Sequence, residues 1–271
     1  MTIATLSQVL DPRSGRAVAG LVVLGWEEAR AFVEAAEAVQ RPIILQCGPG
    51  CRAYTPLPVI AAMFRTLAEA ASVPIVAHLD HGESPEICAR AIDLGFTSVM
   101  YDGSALPLAE NIDKTERVVA MAKRAGVSVE AELGMVGYAA GKPSFPTDPH
   151  EAAAMVATGI DALAISIGNV HLMQTHDAVI DWRALRAIEA AVPGLALVLH
   201  GGSGIAAADR KRLAETTQVC KFNIGTELRQ TFGAALRNAV TRDPARFDRI
   251  AILSETIAPV RDAAQRLIRG F

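Results

Sequence analysis

The chain predicts an α/β protein of the (β/α)8 (TIM) barrel class, and three observations predict it. Short apolar runs recur eight times, most of them followed by a segment of helical spacing. The runs are continuously hydrophobic rather than alternating, as parallel strands covered on both faces must be. They recur at intervals of roughly 30 residues with no linker or low-complexity break. A doubly wound sheet is the competing architecture, but it seldom needs eight such regular units. One barrel domain over residues 1–271 is expected.

In order, the strands are expected at 17–24 (AVAGLVVL), 42–46 (PIILQ), 74–79 (PIVAHL), 97–101 (TSVMY) and 127–132 (VSVEAE). Three more follow at 161–168 (DALAISIG), 195–200 (LALVLH) and 218–225 (QVCKFNIG). Helical patterns occupy 27–40, 84–95, 110–126, 148–159 and 206–216. Two of them carry their own punctuation. Ser84 with Pro85, and Asp148 with Pro149, each place a capping side chain before a first-turn proline; Gly95 and Gly159 close the same segments.

Composition narrows the function classes. A formal net charge of −3 with 5% aromatic residues gives no electrostatic footprint for nucleic acid or an acidic membrane. The four cysteines, Cys47, Cys51, Cys88 and Cys220, form no C-x-x-C pair, which suits reduced thiols in a cytoplasmic protein. No signal peptide is expected in the first 20 residues, and no apolar stretch approaches the ~20 residues of a membrane span.

A barrel of this class has an address for chemistry: the C-terminal ends of its strands. Asp80 and His81 end the third run, Asp102 follows the fourth, Glu130 and Glu132 end the fifth, and the sixth runs on to His171. The seventh ends in His200 before GGSG (201–204), and the eighth in NIGT (223–226). A lone histidine at a strand end is more often a hydrogen-bonded structural residue than a ligand. Three of them converging on one rim weigh the other way, because a neutral imidazole triad binds zinc with a fourth position open. His78 reads as support that orients a carboxylate or ligand, His150 as surface, and His176 as undecided. The GGSG turn leads into a helix and exposes N–H groups suited to phosphate. Alone it is a weak signal; with NIGTEL after the next strand it matches the phosphate site such barrels build from their last two loops.

These stretches resemble the class II, zinc-dependent ketose-bisphosphate aldolase family, near its tagatose- and fructose-bisphosphate members. The similarity rests on HLDHGES, GFTSVMYDGSALPLAENIDKT, VSVEAELG, DALAISIGNVH, LVLHGGSG and KFNIGTEL, colinear from about residue 25 to 250. The resemblance implies zinc held by His81, His171 and His200, and Asp80 moving the proton of the substrate hydroxyl. It implies Asp102 and Glu132 as ligands of a second or displaced divalent ion, with a monovalent cation as the other cofactor candidate. Gly201, Gly202, Ser203, Asn223, Gly225 and Thr226 would cradle the phosphate of dihydroxyacetone phosphate. A small phosphorylated sugar is the implied substrate, and a dimer or tetramer the implied assembly.

Four positions depart from the family pattern. The loop after AELG usually carries an acid that handles the donor-carbon proton, but GMVGYAAGKPSFPT (134–147) has no Asp or Glu. Tyr138, Lys142 and His176 are the side chains available to replace it. The Asn usual at the end of the first strand and the Ser usual after the second are absent from LVVLGWEE and QCGPGC. Leu172 stands where a Gly usually follows the second zinc histidine. Metal and phosphate residues persist while the acceptor side changes, so fructose 1,6-bisphosphate is expected not to be the natural substrate. A sugar-phosphate binder without turnover, or an aldolase with another donor, are the alternative readings.

Overall fold

A computed structural model describes residues 2–271 other than Ala140 and Lys142. Its barrel strands are β1 (Val18–Val22), β2 (Ile43–Cys47), β3 (Ile75–Gly82), β4 (Ser98–Tyr101), β5 (Ser128–Leu133), β6 (Ala162–Ile165), β7 (Ala196–Leu199) and β8 (Val219–Ile224). Each pairs in parallel with the next, and β8 returns to β1 with Gly20 opposite Asn223, closing the expected (β/α)8 barrel. Helices surround the strands, and a further helix, Arg249–Arg269, packs chiefly on Trp26–Val39. Both punctuated starts hold: the Ser84 hydroxyl accepts from the Ile87 amide, and Asp148 accepts from the His150 and Glu151 amides. No described helix is long and apolar enough to cross a membrane.

Side chains alternate along each strand, so one set packs outward against the helices and the other fills the lumen. Toward the strand N-termini the lumen is apolar, with Val18, Ile44, Val76, Met100, Ala164 and Val198 in one cluster. Leu6 and Leu10 join that cluster from below. They belong to a segment absent from the strand pattern: the two-residue strand Ile3–Ala4, paired with Ile75 and Val76, and the short helix Leu6–Val9. Toward the C-termini the same inward positions become Gln46, His78, Glu130, Glu132 and His200, all buried. The lumen therefore changes from a packed core to a polar floor within the length of a strand.

The sixth strand falls furthest short of expectation. The run 161–168 is extended only to Ile165, because Ser166 turns its backbone to the loop that follows β5. Its amide donates to the Thr147 hydroxyl at 2.8 Å, and its carbonyl accepts from the Thr147 amide at 3.1 Å. Gly168, at φ +103°, completes the departure from the sheet.

Candidate active site

Asp80 and His81 are neighbours on β3, and a regular strand would send them to opposite faces. Here the register between β3 and β4 shifts between Leu79 and Gly82, and His81 adopts φ +48°. A bulge of this kind re-aims a side chain, and both residues line one cavity. Arg52 braces the distortion from the short helix Pro49–Tyr54. Its guanidinium donates to the carbonyls of Cys47 (3.1 Å), Asp80 (2.7 Å) and His81 (2.9 Å), and to Glu83 (2.8 Å). Asp80 is buried, and the Asn223 amide donates to its Oδ1 at 3.1 Å.

The three histidines meet. One ring nitrogen from each of His81, His171 and His200 lies within 4.8 Å of the others, and the ring centroids are 4.7–5.5 Å apart. His171 sits beyond β6 and is positioned by its neighbours. Asn169 accepts from the Ile167 amide and donates to the carbonyls of Ile165 and His200. The Tyr138 ring stacks on His171 at 4.8 Å. His81 also meets Asp102 and Glu132, the pair named for a second ion: Nδ1 is 2.7 Å from Asp102 and 3.7 Å from Glu132.

Burial and the neighbouring imidazoles push His171 and His200 down, His200 to about 3, so both are neutral. Burial would lower His81 as well, but Asp80, the bond to Asp102 and the Glu132 charge outweigh it and hold its pKa at about 10. Glu132 is pushed up to about 8 by burial and by Asp102. Two of the buried atoms that lack a hydrogen-bond partner among the described residues face each other here: His200 Nδ1 and Glu132 Oε2, 3.6 Å apart. Orphaned lone pairs beside neutral imidazoles are costly in a folded core and are what a bound cation satisfies. The donor set fits zinc.

The cavity beside the triad measures about 300 Å³ and is lined by Gly201, Ser203, Asn223, Gly225 and Thr226 on one side. Gly201 needs to be glycine, for it has φ +64° and a Cβ would stand 2.2 Å from the Val170 carbonyl. The Ser203 hydroxyl accepts from the Glu227 amide at 3.3 Å, tying the two loops together, while Glu227 is turned aside by Arg210 at 2.6 Å. Gly202 departs from expectation. It is buried in the turn behind its neighbours, and its carbonyl is occupied by Arg210, so it does not line the cavity. His150 is exposed, as expected. His176 faces away from the cavity, with Nδ1 2.6 Å from the Ser203 carbonyl.

The family description of class II fructose-bisphosphate aldolase matches residues 6–271. The chain belongs to that family. It is 35% identical to the probable fructose-bisphosphate aldolase of Bacillus subtilis strain 168, over 100% of this chain and 96% of that protein. It is 36% identical, with the same coverage, to the fructose-bisphosphate aldolase of Geobacillus stearothermophilus. Among solved structures it resembles the YdjI aldolase of Escherichia coli K12, with TM-score 0.83, 33% identity, and coverage of 96% of this chain and 93% of that one.

Within this aldolase family the departures now have places. Leu172 occupies the left-handed region at φ +57°, where glycine is strain-free, and its exposed side chain narrows the cavity mouth. Of the three substitutes for the loop acid, Tyr138 lines the cavity, His176 does not, and Lys142 lies outside the described residues. Tyr138 is held there because its loop pairs with itself at Met135 and Phe145 and with the segment after β6 at Tyr138 and His171. Arg229 was missed by sequence reasoning. Its side chain lines the cavity beside Val22 and Gly225, with no hydrogen bond or ion pair to any described residue and with Nε buried. It lies one helical turn past Thr226, and that i, i+3 spacing is the signal that could have found it.

Proposed function

We propose that this protein is a zinc-dependent aldolase that reversibly cleaves a phosphorylated ketose into dihydroxyacetone phosphate and an aldehyde. The observation that carries the reading is the meeting of three imidazoles, the Asp80 carboxylate and a pair of glycine-rich turns around one cavity. His81, His171 and His200 hold the zinc, which when bound acts as a Lewis acid on the ketone carbonyl. Asp102 and Glu132, with His81, offer a second cation position. Asp80, fixed by Asn223, takes the proton from the hydroxyl at the bond being cleaved and returns it in synthesis. Gly201, Ser203, Asn223, Gly225 and Thr226 hold the donor phosphate, aided by the positive end of the helix Thr226–Arg242. Tyr138 delivers the proton to the donor carbon during cleavage. Burial and the Asp80, Asp102 and Glu132 charges raise its pKa, so it is a proton donor at neutral pH.

Arg229 supplies a cation for a second anionic group on the ketose. That cation and the names of the two bacterial relatives leave the expected exclusion of fructose 1,6-bisphosphate without support, and this bisphosphate belongs among the substrates tried. The whole chain forms one catalytic unit, a cytoplasmic homo-oligomer. Four buried, unpaired cysteines support the compartment, and the exposed Trp26, Tyr54 and Val59 support an interface.

The test is proton exchange. Zinc-loaded protein with dihydroxyacetone phosphate in D₂O should exchange one proton of the hydroxymethyl carbon for deuterium, and His81→Ala should not. Zinc bound without exchange would overturn this donor. It would favour another donor, or the sugar-phosphate binder without turnover that the acid-free loop motivates.

A further inference from the structure

Deep in the lumen lies a chain of buried polar groups, none of which lines the substrate cavity. Lys221 would point outward on a regular β8, but the register against β7 shifts between Leu197 and Val198, and Cys220 and Lys221 both turn inward. The Lys221 ammonium, fully buried, is 2.5 Å from Glu130 Oε2 and 3.3 Å from His78 Nε2. Glu130 Oε1 is 3.0 Å from His200 Nε2, and His78 Nδ1 is 2.8 Å from the Ser98 hydroxyl.

The donor and acceptor inventory fixes the direction of every bond. Ammonium only donates, so His78 accepts at Nε2 and donates from Nδ1 to Ser98. A carboxylate only accepts, so His200 carries its proton on Nε2. Nδ1 of His200 is then left with a lone pair, and it is the same buried atom that has no partner among the described residues.

We propose that Lys221 is a positioning residue of the metal centre: it holds the Glu130 carboxylate against His200, and so makes Nδ1 the atom that His200 offers to the metal. The inference rests on the metal reading above, but its test does not need turnover. Lys221 does not line the cavity and makes no hydrogen bond to His81, His171 or His200; its bond to Glu130 is the contact that reaches His200. A plain core-filling role would require only its volume and a neutralised charge.

The decisive variants are Glu130→Gln and the double variant Lys221→Met with Glu130→Gln. In Glu130→Gln, Lys221 still demands an oxygen, so the amide turns its NH₂ toward His200 Nε2 and moves the imidazole proton to Nδ1. Adding Lys221→Met frees the amide to turn its oxygen back to His200. The readouts are the His200 tautomer, by ¹⁵N imidazole NMR of the metal-free protein, and zinc affinity, by competition with a chromophoric chelator. The expected result is the Nε2–H tautomer in wild type, Nδ1–H in Glu130→Gln with zinc affinity down roughly 10- to 100-fold, and recovery of both in the double variant. An unchanged tautomer and affinity in Glu130→Gln would overturn the proposal, as would a double variant no better than the single one. Wild-type protein that binds no zinc would overturn the metal reading itself, and its own titration tells the two failures apart.

Discussion

At the scale of the residue, the site's charges set what metal binding would require. His81 has its pKa raised from 6.5 to about 10, so its protonated form stabilises the metal-free fold fully below about pH 6.5. That contribution is lost as pH rises through about 10. Zinc needs the neutral imidazole, so binding expels this proton and a fraction of the one on Glu132, whose pKa is about 8. His171 and His200 are already neutral and release none. Roughly one to two protons should leave per zinc at pH 7, and affinity should climb with pH. Calorimetry in buffers of different ionisation enthalpy measures this, and a release of three protons would contradict the assignment. Arg229 carries a separate expectation. A charge-assisted bond lost to Arg229→Met costs about 2 kcal/mol, so KM for a ketose bisphosphate should rise roughly 30-fold while that for a monophosphate stays put. Equal effects on both would mean the guanidinium does not meet the second anion.

At the scale of the element, what the sequence revealed follows from what period and position can encode. Buried parallel strands announce themselves as apolar runs, and each of the eight lies where its run does. The histidines were legible because strand ends are the barrel's working rim. Their means of support were not. The His81 bulge, the inward turn of Lys221 and the Arg52 brace each depend on a register shift, and a register shift leaves no mark in a pattern of apolar and polar letters. The end of β6 was misjudged for a similar reason. Ile167 is as apolar as any strand residue, yet the preceding Ser166 is claimed by Thr147. The loop after β5 shows how an element's own pairing can bring a side chain to a cavity. Its own pairing and its ladder to His171 carry Tyr138 to the cavity without an acid on the loop. Tyr138→Phe keeps the ring stack and removes the hydroxyl, so zinc affinity should be unchanged while deuterium exchange slows roughly 100-fold. Exchange at the wild-type rate would remove Tyr138 from the proton path.

At the scale of the whole molecule, the barrel divides its labour along its axis. The C-terminal mouth holds buried charges, unpartnered lone pairs and left-handed residues, all of which oppose folding. The N-terminal end must supply compensating stability, and there the lumen is closed by Leu6 and Leu10 packed on Val18, Ile44 and Val76. Leu6 is fully buried although its helix spans only Leu6–Val9. So short a helix has little stability of its own, and its place depends on that packing and on the pairing of Ile3–Ala4 with β3. Leu6→Ala should leave a cavity and cost about 2–5 kcal/mol. At about 2 °C per kcal/mol for a chain of this size, Tm should fall by roughly 4–10 °C. Because β3 also carries Asp80 and His81 at its other end, the same variant asks whether the two ends communicate. The bulge is anchored locally by Arg52 and Asn223 rather than from below, so zinc affinity at 25 °C should match wild type. Scanning calorimetry and a zinc titration on one sample measure both. A fall in affinity that tracks the fall in Tm would show that the plug sets the geometry of the rim, and the division of labour along the axis would not stand.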